Sequence, residues 1–346
     1  MASFDTELSR DGPGLLLKAI RSGEDAQVEA VIGVITAAAP DIVLVQGIDW
    51  DAGGRTLAAF ADRLAGAGLG YPHRYAPRPN SGLRTGLDMD GDGRRGGWAD
   101  AQGFGRFTGQ GGMALLSRYP IRSAGARDFS SLLWADLPGA DLPTVDGAPF
   151  PSAAAQVVQR LSDTAHWDVP VEVPGGVLHL LAFAAAPPVF DGPEDRNGRR
   201  NADEIRFWRL YLDGRIAPDP PGGRFVILGN ANLDPADGEG RHGAIRALLA
   251  DPRITDPRPR AAGGGAATAL QGGVNATQAG DPSLDTVDWA DDGPGNLRVD
   301  YVLPSADLTV AGAGVLWPEP GAPLAGTVAD ASRHRLIWVD LVLEGG

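Results

Sequence analysis

The run Phe225-Val226-Ile227-Leu228-Gly229-Asn230-Ala231-Asn232 is apolar through Leu228 and turns polar after Gly229. A short continuous apolar run of this kind, closed by turn residues, reads as a strand buried on both faces, here Arg224 to Gly229. Helical patterns flank it, Ala202 to Asp213 before and Gly243 to Ala250 after. Upstream, Val169 to Val173 and Val177 to Phe183 read as a hairpin through Gly175-Gly176, with Pro170 expected at an edge or strand start. Downstream, Leu297 to Leu303 and Leu336 to Leu343 supply late strands.

The amino-terminal part opens with a βαβ-like unit. Ser3 to Leu8 is a candidate strand, and Asp25 to Ala38 has helical spacing through Val28, Val31, Ile32 and Ile35. Pro40 stops that helix, and Ile42 to Gln46 is a second buried run. Thr56 to Ala67 reads as a helix closed by Gly68, and Met113 to Ser117 as a further strand. Between them, residues 71–112 are rich in Gly, Asp and Arg and read as a long ordered loop; residues 261–279 are Gly/Ala-rich and are expected to be a flexible excursion. The mixture points to an α/β sandwich of two sheets flanked by helices, with residues 1–346 as one domain carrying long loops.

Composition narrows the partners. With 43% hydrophobic and 21% charged residues the chain can bury a substantial core, and its 49 Gly and 28 Pro favour many tight loops. A net charge of -14 without a basic run disfavours a nucleic-acid backbone as partner, because binding one needs cations that displace its counterions. There is no cysteine, so disulfides, thiolate catalysis and cysteine zinc sites are excluded. No run of about 20 apolar residues exists to span a membrane. No signal peptide is visible either; a periplasmic or secreted location follows if a leader has been removed, and a cytoplasmic one otherwise.

Ordered segments carry a family resemblance along nearly the whole chain. They are Pro40 to Gln46, Gly112 to Ile121, Phe225 to Asn232, Arg298 to Leu303, and Ser332-Arg333-His334-Arg335. Together they resemble the endonuclease/exonuclease/phosphatase (deoxyribonuclease-I-like) superfamily, as a divergent bacterial-type member with a depleted catalytic set. The resemblance implies a four-layer α/β sandwich of two mixed β-sheets flanked by helices. It also implies a divalent cation on strand-end carboxylates, a water-orienting carboxylate–asparagine pair, and a histidine held by a carboxylate.

On that resemblance, Asp300 and His334 match the carboxylate–histidine pair and Asn232 the asparagine. The family's first-strand asparagine falls on Asp5, itself a potential ligand. Its second-strand glutamate falls on Gly47, its aspartate on Asn230, the acid before the last histidine on Arg333, and the hairpin-strand histidine on Ala184. The losses remove negative charge where a hard cation wants anionic oxygens, so Mg2+ or Mn2+ affinity is expected to fall unless Asp5, Asp49 or Asp51 compensates. Asp49 and Asp51 equally suit capping of the helix that follows.

A second constellation is independent of the resemblance. Asp88-Met89-Asp90-Gly91-Asp92-Gly93 places carboxylates at positions 1, 3 and 5 and Gly at 6, the first half of a calcium loop. Arg94 is expected to give a backbone carbonyl and Asp100 to close the shell in place of Ala99, with Ca2+ in a structural role. Arg196, Arg199 and Arg200 read as either an anion grip or a salt-bridged loop with Asn201 as helix N-cap. His166 is expected to pack on Trp167, His179 to be core, and His73 and His242 to be surface or loop residues.

The function these residues favour is a metal-dependent phosphoester hydrolase, of phosphodiesterase or phosphatase class, with a weakened or relocated catalytic metal site. Its partner would be a small phosphoester or anionic ligand. A non-catalytic ligand-binding protein with the same cleft fits the losses too, as does an active-site-altered variant of an active parent.

Overall fold

A computed structural model describes residues 1–343. The first sheet contains β1 (Ala2–Asp5), β2 (Ile42–Ile48), β3 (His73–Tyr75), β4 (Gly112–Ser117), β14 (Thr309–Val315) and β15 (Ile337–Val342), in the order β14-β15-β1-β2-β4-β3. The second contains β5 (Arg127–Asp128), β8 (Ala165–Val173), β9 (Gly176–Ala184), β10 (Phe225–Asn230) and β13 (Asp300–Pro304), in the order β13-β10-β9-β8-β5. Both are mixed: β1 runs parallel to β2 and antiparallel to β15, while β10 runs parallel to β9 and antiparallel to β13. Two short ribbons, β6 (Thr144–Val145) with β7 (Ala148–Pro149) and β11 (Val287–Asp288) with β12 (Asn296–Leu297), lie outside them.

Alternation along the strands sorts the core into layers. In β2, Ile42 and Leu44 face the second sheet, while Val43 and Val45 face the helices α1 (Leu15–Ser22), α2 (Ala26–Ala38), α3 (Arg55–Gly66) and α8 (Ala325–Ala331). In β10, Val226 and Leu228 join the inter-sheet core, and Phe225 and Ile227 pack toward α5 (Arg196–Leu212) and α6 (Gly243–Leu249). The architecture is therefore helix, sheet, sheet, helix, and the central strands are apolar on both faces because both faces are covered.

Several elements differ from the sequence reading. The first strand stops at Asp5 rather than Leu8, because Glu7 takes a left-handed φ of 48° that breaks the ladder. Leu15–Ser22 adds a helix where none was expected. Helix α5 starts at Arg196 behind Asp195, not at Ala202, so Asn201 is no N-cap. Its buried Nδ2 instead donates to Ala186 O and Ala231 O, at 2.7 Å each, tying α5 to the ends of β9 and β10. Residues 261–279 were expected to be flexible, yet they hold α7 (Ala262–Gln271) and a 3-10 turn, Gly273–Ala276. Glycines there are an asset: Gly263 and Gly264 lie so close to Trp317 and Pro282 that a side chain would collide. Pro170 lies inside β8, past the two residues that β5 pairs.

Candidate active site

The second sheet lines up Ala184, Asn230 and Asp300 directly opposite one another on β9, β10 and β13. The first sheet brings Asp5 opposite Gln46. Gln46 then bridges the sheets: its Oε1 accepts from Asn230 N at 2.8 Å and its Nε2 donates to Ser3 Oγ at 3.2 Å. That approach requires Gly229, since a Cβ there would overlap the Phe183 carbonyl and come within 3.3 Å of Gln46 Oε1. Asn230 Nδ2 donates to Asp5 Oδ2 at 3.1 Å, and Asn230 Oδ1 accepts from Asn232 N at 2.7 Å. Asn232 is held at φ 49° with its Nδ2 on Ala185 O, a strained backbone of the kind found at functional sites.

Asp300 and His334 form the other side. His334 Nδ1 lies 2.8 Å from Asp300 Oδ2, which also accepts from Thr286 Oγ1 at 3.0 Å. Both side chains are buried, and Asp300 Oδ1 has no partner among the described residues. Burial opposes charge on His334, but the carboxylates of Asp300, Asp5 and Glu7 prevail and raise its pKa to about 9. His334 is thus an imidazolium at neutral pH, with Nδ1 directed to Asp300.

Glu7 completes the corner and has no counterpart in the sequence reading. Its Oε2 accepts from Arg333 N at 2.8 Å and from Ser332 Oγ at 3.1 Å, and its Oε1 pairs with the Arg333 guanidinium. Burial pushes the Glu7 pKa up, yet the Arg333 hydrogen bonds and the His334 charge bring it below the usual range. Nothing local in the sequence marks this pair, since 326 residues separate its members.

Gly47 occupies a bulge in β2 at φ 68°. A Cβ there would meet Asp5 Oδ1 at 2.7 Å and Glu7 N at 2.8 Å. The space that a glutamate would need is therefore filled by this chain's own first strand end.

A family model described as "Endonuclease/Exonuclease/phosphatase family" matches residues 19–334. The chain belongs to the endonuclease/exonuclease/phosphatase family. Among curated proteins, none matches it. Solved structures share the fold at low identity. An endonuclease/exonuclease/phosphatase from Beutenbergia cavernae aligns with TM-score 0.56 and 20% identity over 99% of this chain and 71% of that one. A family protein from Leptotrichia buccalis gives 0.51 and 13% over 99% and 98%, and one from Bacteroides thetaiotaomicron gives 0.50 and 12% over 99% and 97%.

In this family member the remaining acids near the corner are otherwise engaged. Asp51 caps α3, accepting from Gly53, Arg55 and Thr56 N–H groups. Asp49 pins two loops through Gly111 N at 3.0 Å and Arg10 N at 3.1 Å; burial outweighs those bonds and lifts its pKa to about 6. Around Asp5 no trio of metal-ligating side chains forms among the described residues.

Such a trio does form at Asp88, Asp90 and Asp100, whose carboxylate oxygens lie within 4.8 Å of one another. Asp100 is anchored by Met89 N and Gly97 N at 2.8 and 2.7 Å. Asp92 stands outside the trio, its carboxylate folded back onto Arg94 N at 2.7 Å, and Arg94 engages through that N–H. The arginines of 196–200 hold structure rather than a vacant grip: Arg200 donates to the Leu161, Gln102, Arg160 and Ser162 carbonyls, and Arg196 to Gln159. His166 is buried between Phe207 and Trp208, not on Trp167, with burial lowering its pKa to about 3. His179 is half-buried on Asp168, and His242 binds Asp234 O.

Proposed function

We propose that this family member is a phosphoester hydrolase with a weakened catalytic metal site, acting slowly on a small phosphoester. The observation that carries this reading is the buried Asp300–His334 pair at the strand-end corner that also holds Asn230, Asn232 and Asp5. Asp300 accepts the Nδ1–H of the His334 imidazolium, so Nε2–H is the donor left to meet a phosphoryl oxygen. The imidazolium then stabilises negative charge that grows on that oxygen. Asn232 orients water by hydrogen bonding, while Asn230, an amide, cannot take its proton; slow turnover follows.

Mg2+ or Mn2+ is the cation the family chemistry implies, and it polarises the phosphoryl group when bound. The residues here do not fit tight binding of one. Asp300 is committed to His334, Asn230 donates to Asp5, and Glu7 is neutralised by Arg333. The net charge of -14 favours a small substrate over nucleic acid. Ca2+ in a structural role suits Asp88, Asp90 and Asp100, oxygen donors on a long polar loop with little core of its own.

The test is a panel of aryl phosphomonoesters and phosphodiesters with Mg2+, Mn2+ or Ca2+, with and without chelator. Slow, chelator-sensitive turnover that needs millimolar cation and is lost in His334→Gln is the expected result. Phosphate binding without turnover of any ester would favour the second reading, a non-catalytic ligand-binding protein, for which the self-paired Asn230–Asp5 contact speaks.

A further inference from the structure

Asp285 lies in the connection between the 3-10 turn Pro282–Leu284 and β11, and it is only 6% exposed. Its carboxylate accepts no hydrogen bond and faces no cation among the described residues. Its charged neighbours are Asp234, Asp237 and Asp281. Each of those is satisfied by the protein. Asp234 accepts from Ala236, Asp237 and Arg298 N–H groups, and Asp237 from Ala279 and Gly280 N–H groups. Asp281 holds Arg260 and Ser283. Nearby Arg298 is committed to Asp256 in a two-armed pair, and Arg246 donates to Pro235 O. Arg258, the third arginine nearby, lies beside Asp256, so the charges acting on Asp285 itself are carboxylates. Asp285 is left without a partner among them, an arrangement proteins otherwise avoid because a buried unpaired carboxylate is costly.

What Asp285 faces is space. It walls two cavities, of about 420 and 370 Å³, that share Asp285 and Gly280. The larger has apolar sides from Pro235, Leu249 and Leu284. None of Asp5, Asn230, Asn232, Asp300 or His334 lines either one. The volume is that of a small-molecule site rather than a bare ion. A directly coordinated metal is not served either: apart from Asp88, Asp90 and Asp100, no trio of ligating atoms converges among the described residues.

We infer that this cavity binds a small organic cation, a primary alkylammonium whose head pairs with Asp285 and whose chain lies along Leu249, Leu284 and Pro235. An ammonium supplies the donors that Asp285 lacks, and the enclosing carboxylates favour its charge without contacting it. The raised pKa of Asp285, about 8 through burial and then Asp234, Asp237 and Asp281, is the same deficit expressed as proton affinity. This site is independent of the phosphoester reading.

Calorimetric titration of the full chain at pH 8.5 with n-butylammonium chloride tests it, with sodium butyrate and calcium chloride as controls. The expected result is saturable one-site binding of butylammonium and none of butyrate. Asp285→Asn removes an unpaired charge and keeps the fold, and should weaken binding by about tenfold or more, the value of one hydrogen bond to a charged group. Ala236→Arg, an exposed substitution on the cavity wall, should weaken it too, while Asp88→Asn should leave it unchanged. The proposal fails if butylammonium shows no saturable binding, if Asp285→Asn binds it equally, or if Asp285 governs calcium affinity instead.

Discussion

The two sides of the strand-end corner are built on different terms. On one side, Asp300 and His334 are buried charged groups with open valence: an unpartnered Asp300 oxygen and an imidazolium whose Nδ1 alone is engaged. On the other, Gly47, Asn230 and Arg333 have been absorbed into internal contacts. The Asn230 amide satisfies Asp5, Arg333 satisfies Glu7, and the Asp5–Glu7 backbone fills the volume beside Gly47. A half-site that keeps unmet polar capacity is still arranged for a ligand. A half-site whose members satisfy one another is arranged to be stable without one. On the proposed reading, the contrast puts the loss on the cation side and leaves the anion side able to work.

The largest expected effect comes from breaking the open side. Asp300→Ala removes the main attraction that holds the proton on buried His334 and leaves Nδ1 without its partner; it should cost about 3–5 kcal/mol of stability, read as a lower urea midpoint. Next is an attempt to rebuild the closed side at its most crowded point. Gly47→Glu places a side chain at φ 68° against the Glu7 backbone and should cost about 1–3 kcal/mol whatever the cation present. Equal stability, or rescue by Mg2+, would mean that the first strand yields readily.

A pH series sharpens the comparison further. The folded pKa of His334 is raised from 6.5 to about 9, so its contribution is fully present below pH 6.5 and is lost as pH rises through 9. Stability of the wild type should therefore fall between these values by more than that of His334→Gln, measured by urea unfolding at intervals of pH. The smallest effect is Asn230→Asp. Facing Asp5 across 3.1 Å, the new carboxylate should lower stability by about 1 kcal/mol in chelator and regain it in Mn2+. No cation dependence would show that Asp5 and residue 230 do not aim at a common point.

Much of this was legible in the sequence because it rests on local pattern. The apolar run before Gly229 gave β10, and Asp300 and His334 stood in motifs with definite spacing. The spacing of Asp88, Asp90 and Asp100 in the chain also brings their carboxylates together, whereas the Asp92 carboxylate turns to the nearer donor at Arg94 N. What escaped was set by tertiary contact. Glu7 matters only because residue 333 folds onto it, and Asn201 is no cap because α5 begins five residues earlier, at Arg196. Asp285 is one acid in a chain with 44, and only its burial against a cavity distinguishes it. The Gly/Ala stretch of α7 lacks the apolar period that announces a helix, since its glycines serve close approach to Trp317 and Pro282.

The division of the corner into an open anion side and a closed cation side is tested most directly by titrating Mn2+ into the Asp88→Asn chain by calorimetry, alone and with Asp5→Asn added. The expected result is no saturable site tighter than about millimolar in either protein, the cation side lacking a converging set of anionic oxygens. A submillimolar site that disappears with Asp5→Asn would contradict it.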